Sequence, residues 1–198
     1  MASLDDIKKL RETTGAGMMS AKRALEETNG DFDKAIDYLR KAGEATAAKK
    51  ADREASNGVI ESYTHGGRIG VIVEINCETD FVARTDDFKE FAHDIAMHIA
   101  AANPEYAVPS DLPASIIEKE KDFYRTELAQ QNKPTDIIEK ILEGKLAKYY
   151  ESVCLAKQPF VKDPEQSIEQ LTNALIGKLG ENIVIRRFQR LELGVYDN

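Results

Sequence analysis

Over the first forty residues apolar side chains recur at intervals of three and four, the spacing that places them on one face of a helix. Ser3 with Asp6 forms an S-x-x-D capping signature around Leu4, Ile7 and Leu10, and the run Thr13–Thr14–Gly15–Ala16–Gly17 breaks that helix. A second helix begins near Met18, carries Met18, Ala21 and Leu25 on one face and stops at Asn29–Gly30. Asp31 caps a third, whose stripe of Phe32, Ala35, Ile36 and Leu39 ends at Gly43. A unit this small buries little surface, so it is either marginal alone or stabilised by a partner. From Glu44 to Ser56 no large apolar residue occurs, which predicts a helical or flexible linker.

The period then changes to two. Val59, Ile60 and Tyr63, a His65–Gly66–Gly67 turn, and Ile69, Val71, Val73 and Ile75 in alternation up to Cys77 predict a β-hairpin. Ile72 interrupts the polar set of the second strand, so part of that strand is expected to be covered on both faces. Thr85 or Asp86 caps a helix with Phe88, Phe91, Ile95 and Ile99 on one face, ending at Asn103–Pro104. Pro104, Pro109 and Pro113 mark a surface connection. Two helices follow, about Ala114 to Asn132 and Pro134 to Cys154, the second begun by a proline and carrying Ile137, Ile138, Ile141, Leu142 and Leu146. Residues 166–179 read as helix, and Asn182 to Leu193 as a strand able to join the hairpin and to form its edge. The fold class is therefore α+β. A three-helix unit over 1–43 is joined by a linker over 44–56 to a core over 57–198, in which a small antiparallel sheet is flanked by helices.

Of the 198 residues, 42% are apolar, enough for a packed core. No run of about 18 apolar residues exists and the N-terminus lacks the layout of a signal peptide, so no membrane span is expected and the location is expected to be cytoplasmic. Residues 1–56 carry 11 basic and 11 acidic side chains, which leaves the whole net charge of −8 on residues 57–198. That balance argues against direct binding to a nucleic-acid backbone, whose affinity rests on Lys and Arg. Cys77 and Cys154 are too few for a disulfide framework and too far apart for a C-x-x-C pair, so both are expected to be reduced.

No residue constellation specifies an enzyme, a metal site or a cofactor. Phosphate-loop and dinucleotide glycine motifs are absent, and Gly144–Lys145 sits inside a helical pattern. His93 and His98 lie about 140° apart around a helix, the wrong spacing for a chelating pair. Carboxylates at Glu78 and Asp80 would raise the pKa of Cys77, the wrong direction for a nucleophile. The segment Asn76 to Arg84 stands out, because it sets Asp80 directly beside Phe81 where a turn is needed. Either Phe81 and Val82 tuck under the next helix while Asp80 caps it, or Asp80 and Phe81 protrude as an anion beside an aromatic anchor. Met18–Met19 poses a similar choice, with room for one methionine in the core and the other outside.

Five collinear blocks carry a resemblance. Arg11–Met19 with Lys22–Leu25, Gly30–Asp31 and Leu39–Gly43 resemble the N-terminal module of the bacterial elongation factor Ts family. Val73–Arg84 is similar to that family's core signature, and Glu143–Leu146, Gln158–Val161 and Gly180–Ile183 with Arg187–Phe188 are similar to its C-terminal blocks. The resemblance runs essentially end to end, and the length matches the family's short forms.

The resemblance implies a guanine nucleotide exchange factor for elongation factor Tu rather than an enzyme, with no cofactor or metal of its own. It makes residues 1–43 a ubiquitin-associated-like bundle that docks on the GTPase through Arg11, Met18, Met19 and Lys22. It assigns Thr79, Asp80, Phe81 and Val82 to the displacement of Mg2+ from the GDP site. It further implies a homodimer and a 2:2 complex. Two other readings of the same residues are a helical scaffold whose first forty residues bind a different partner, and a small hydrolase using Cys77 or Asp80.

Overall fold

The computed structural model describes residues 3–129 and 135–195. Three helices open the chain: α1 (Leu4–Thr14), α2 (Met18–Glu27) and α3 (Phe32–Lys50). The expected caps are in place. Ser3 and Asp6 close a full capping box on α1, Gly15 ends it in the left-handed conformation, and the Asp31 side chain accepts from the Lys34 N–H. Ile7, Leu10, Ala21, Ala24, Leu25 and Ala35 form the core of this bundle. Leu4, expected on the buried face, is 71% exposed, because it sits at the first turn ahead of any covering element.

Gly43 does not end α3, contrary to the sequence expectation. The helix continues for another seven residues through Ala45, Ala47 and Ala48, which are strong helix formers, and an interior glycine costs only about 1 kcal/mol. A tertiary contact compensates. Gly43 is buried where α3 crosses α8 (Ile168–Leu179), and a Cβ there would lie 3.2 Å from the Asn173 carbonyl oxygen. On the facing helix Gly177 lies close against the Gly43 backbone. Half of the expected linker is thus helical, and Ala47 belongs to the main core. Replacing Gly43 by Leu is expected to destabilise the protein by roughly 1–3 kcal/mol through overpacking at this crossing. Thermal unfolding followed by circular dichroism reads the effect, and an unchanged midpoint would mean that the crossing yields freely.

The main core lies between a three-stranded antiparallel sheet, in the order β1 (Asn57–His65), β2 (Ile69–Cys77), β5 (Ile183–Glu192), and helices α5 (Asp86–Ala102) and α8. Val71, Val73, Ile75 and Cys77 face inward from β2 and meet Phe88, Phe91, Ile95 and Ile99 of α5 with Ile168, Leu175 and Ile176 of α8. The C-terminal strand therefore does join the hairpin, as an edge. Ile72 is 56% exposed, so double coverage of β2 fails at its middle and holds only at Ile75–Cys77, where all three residues are buried. A bulge between Glu74 and Ile75 sets Arg186 as the extra residue of β5. Its guanidinium donates to the Asn76 side chain at 2.9 Å and to the Ala55 carbonyl at 3.2 Å.

Helices α6 (Ala114–Ala129) and α7 (Thr135–Val153) pack as a hairpin beside this core. The expected start at Pro134 and end at Asn132 lie outside the described residues. The proline-rich connection is more ordered than its composition implies: Ala107 and Leu112 are buried, and Tyr106 accepts from Leu155 N–H at 2.8 Å. A short pairing of β3 (Pro159–Phe160) with β4 (Asp163–Ser167) has no hydrophobic alternation and was not foreseen.

Candidate functional site

Beyond β2 the chain bends at Glu78, is extended at Thr79, then makes the single turn of α4 (Asp80–Ala83) before Thr85 caps α5. Thr79, rather than Asp80, is the cap of that turn, with its hydroxyl accepting from the Val82 N–H at 3.4 Å. Asp80 is left to pair with Arg84 at 2.8 Å on the surface. Phe81 is 80% exposed, whereas Val82 is half-buried against the core and Ala83 is buried. Successive helical residues diverge by about 100°, so one turn sends Val82 inward and Phe81 outward. Of the two sequence readings, the tucked one holds for Val82 and fails for Phe81.

The turn is braced from several sides. Glu181 accepts from the Thr79 N–H at 3.0 Å with one carboxylate oxygen and from the Thr79 hydroxyl at 2.6 Å with the other. The buried Cys77 thiol donates to the Thr79 carbonyl at 3.1 Å, and the Asn57 amide donates to the Glu78 carbonyl at 2.8 Å. The Glu78 carboxylate accepts from the Asn182 N–H at 2.7 Å and lies 3.5 Å from Arg53. That backbone bond, helped by Arg53, holds the Glu78 carboxyl below the usual carboxylate range. Burial pushes the Cys77 thiol up, and the negative charges of Glu181 and Asp80 add to the shift. Cys77 is therefore a neutral donor within the brace, unsuited to nucleophilic attack. Burial likewise pushes Cys154 up to about 11.

Arg11, Met18, Met19 and Lys22 are all exposed. Met18 and Met19 begin α2 at 41% and 70% exposure, so neither methionine enters the core; Ala21, Ala24 and Leu25 fill it instead. Lys22, one turn further on, makes only a long 3.8 Å pair with Glu26. Arg11 stands on the last turn of α1, across the Gly15–Gly17 turn from the methionines. The structure thus displays two exposed groups, one on the first helices and one on α4.

Glu181 is the participant that sequence reasoning missed. It follows the left-handed Gly180 that ends α8, and no local pattern aims it at a residue 102 positions earlier.

One histidine, His98, serves structure. His98 is fully buried, pairs with the Gln158 side chain at 3.0 Å and accepts from Val161 N–H at 3.3 Å; burial lowers its pKa. His93 lies 3.3 Å from Glu61 on the surface. Among the described residues no group of three or more His, Cys, Asp and Glu side chains is placed to hold a metal ion, and no helix is long and apolar enough to cross a membrane.

The family model for "Elongation factor TS" matches residues 6–176. Elongation factor Ts of Carboxydothermus hydrogenoformans is 58% identical over 95% of this chain and 87% of its own length. Those of Syntrophus aciditrophicus and Moorella thermoacetica are 57% and 52% identical, covering 95% and 98% of this chain and 94% and 96% of theirs.

Proposed function

Since the chain belongs to the elongation factor Ts family, we propose that it is a guanine nucleotide exchange factor of translation elongation, acting on elongation factor Tu bound to GDP. The observation that carries this reading is Phe81, a large aromatic side chain 80% exposed at the apex of a turn that is otherwise tied down. An exposed ring on a flexible loop would lose entropy on docking; on a braced turn most of that cost is already met. Asp80 beside it brings a negative charge. Set against a GTPase, the pair intrudes next to the switch region and displaces the groups that hold Mg2+ on the nucleotide. Mg2+ neutralises phosphate charge and ties the phosphates to the protein, so its loss weakens GDP binding.

The reading needs no covalent step and no cofactor, and the chain acts as a binding protein in the cytoplasm. Coupling is reciprocal: a factor that loosens GDP is loosened by GDP to the same extent, and an incoming nucleotide releases it. Arg11, Met18, Met19 and Lys22 serve as the docking contacts on residues 1–43, with the two exposed methionines as adaptable apolar anchors. A homodimer is supported by the outward face of the sheet, where Ile60, Ile72 and Leu191 are 70%, 56% and 65% exposed. Such a patch on adjacent strands suits a second copy. The acidic core, net −8 over residues 57–198, suits a protein partner rather than RNA.

The test follows release of fluorescent GDP from elongation factor Tu. Added protein is expected to accelerate release in proportion to its concentration, and an unchanged rate would overturn the proposal. The mass of the nucleotide-free mixture reads the stoichiometry, with a 2:2 complex expected.

A further inference from the structure

The block Gly180–Glu181–Asn182 ends α8, starts the approach to β5, and is engaged on both sides. On one side it meets the end of α3 and the chain that follows. Lys50 donates to the Gly180 carbonyl at 2.5 Å, and the Asn182 amide donates to the Arg53 carbonyl at 2.8 Å and to that of Ala51 at 3.4 Å. On the other side Glu181 takes both polar hydrogens of Thr79, and the Asn182 N–H is held by Glu78. An ionised carboxylate has only acceptors, so a single Glu can receive an N–H and an O–H from the same residue at once. The backbone carrying it is fixed by partners that do not belong to the turn it holds.

We propose that Glu181 is the positioning residue of the exchange site: its carboxylate fixes Thr79, and through Thr79 the direction in which α4 presents Asp80 and Phe81. The inference rests on the exchange reading above and adds a residue that acts through Thr79, the group its carboxylate holds. Thr79 is the cap of a helix only one turn long, so the hydrogen bonds at its N–H and hydroxyl, rather than any helical ladder, decide where that turn points. Without Glu181 the hydroxyl can rotate away from Val82, and Phe81 samples directions that miss the partner.

The test compares stimulated GDP release by the full-length protein with Glu181→Ala, Glu181→Gln, Phe81→Ala and the double variant Glu181→Ala/Phe81→Ala. Glu181→Ala is expected to lower the maximal stimulated rate roughly tenfold, the scale of losing charge-assisted hydrogen bonds, with little change in the concentration giving half-maximal stimulation. Glu181→Gln keeps an acceptor for the Thr79 N–H and a donor toward its hydroxyl, and is expected to restore most of the rate. The double variant is expected to be no worse than Phe81→Ala alone, because a residue that acts only by aiming Phe81 has nothing left to aim. Undiminished release with Glu181→Ala, while Phe81→Ala is impaired, overturns the positioning role and leaves the exchange reading standing. Additive losses in the double variant also overturn it.

A second readout needs no GTPase. Hydrogen exchange at the Thr79 and Val82 amides is expected to quicken in Glu181→Ala and to return toward the parent rate in Glu181→Gln; unchanged protection of Thr79 rejects the tie even if the protein proves not to stimulate release. If Glu181→Ala does not fold, Thr79→Ala, which removes the hydroxyl's bonds to Glu181 and to the Val82 N–H and keeps the backbone N–H bond to Glu181, replaces it in the release assay and in the exchange readout at Val82. A parental maximal rate for that variant counts against the proposal.

Discussion

Phe81→Ala is expected to reduce the stimulated rate of GDP release about thirtyfold, the factor that corresponds to roughly 2 kcal/mol for one interface anchor. The same substitution is expected to leave thermal stability nearly untouched, because the ring is 80% exposed and trimming an exposed side chain usually changes stability by less than about 0.5 kcal/mol. Rapid mixing with fluorescent GDP reads the first effect and calorimetry the second. Full stimulation by the variant would remove Phe81 from the exchange site.

Phe88→Ala, seven positions later, should do the reverse. Phe88 is fully buried among Val71, Val73 and Ile95 in the cluster between the sheet and α5. Loss of its ring removes the transfer free energy and leaves a cavity, together about 3–5 kcal/mol. Against a total of roughly 5–15 kcal/mol for a folded domain this is a large share. For a chain of this size it lowers the melting temperature by on the order of 10 °C. At a temperature where the variant is still folded, its stimulation of GDP release should approach the parent value, since nothing at the apex of α4 has been removed. A melting temperature within about 2 °C of the parent would mean that the core closes over the gap. The two substitutions share a chemistry and separate the two roles of phenylalanine in one short stretch.

Local signals in the sequence carry the caps and the strand faces. Ser3, Asp31 and Thr85 cap the helices they precede, and the alternation of Ile69, Val71, Val73 and Ile75 fixes which face of β2 is buried. These features depend on neighbours three or four residues away. Gly43 differs from its local signal for the opposite reason: by itself a glycine after a helical stripe is a stop, and only Asn173 and Gly177, far along the chain, make it a crossing point. Ile72 misled because an apolar residue on the polar face of a strand has the same signature whether a helix of the same chain covers it or nothing in the chain does.

The candidate site shows the same division. Residue types alone marked Asp80–Phe81 as unusual but could not decide between a tucked and a protruding ring. The decision depends on which residue caps α4, and Thr79 takes that place, its hydroxyl oxygen accepting from the Val82 N–H while Glu181 accepts both of its polar hydrogens. For Met18 the alanines and Leu25 already fill the bundle's small core, so a long side chain has no room.

The strand order β1–β2–β5 also bears on how the protein is made. β1 and β2 are consecutive and can pair as soon as both leave the ribosome, and the first three helices precede them. The inner strand β2 has one unsatisfied edge until β5, the last described element, is synthesised. Pairings so distant in sequence close late, because the loop between them must be ordered first. Glu181 lies two residues before β5 and arrives with it. A nascent chain thus acquires its first helices early and a fixed α4 only at the end, so a truncated translation product would retain the helices and lack the oriented aromatic.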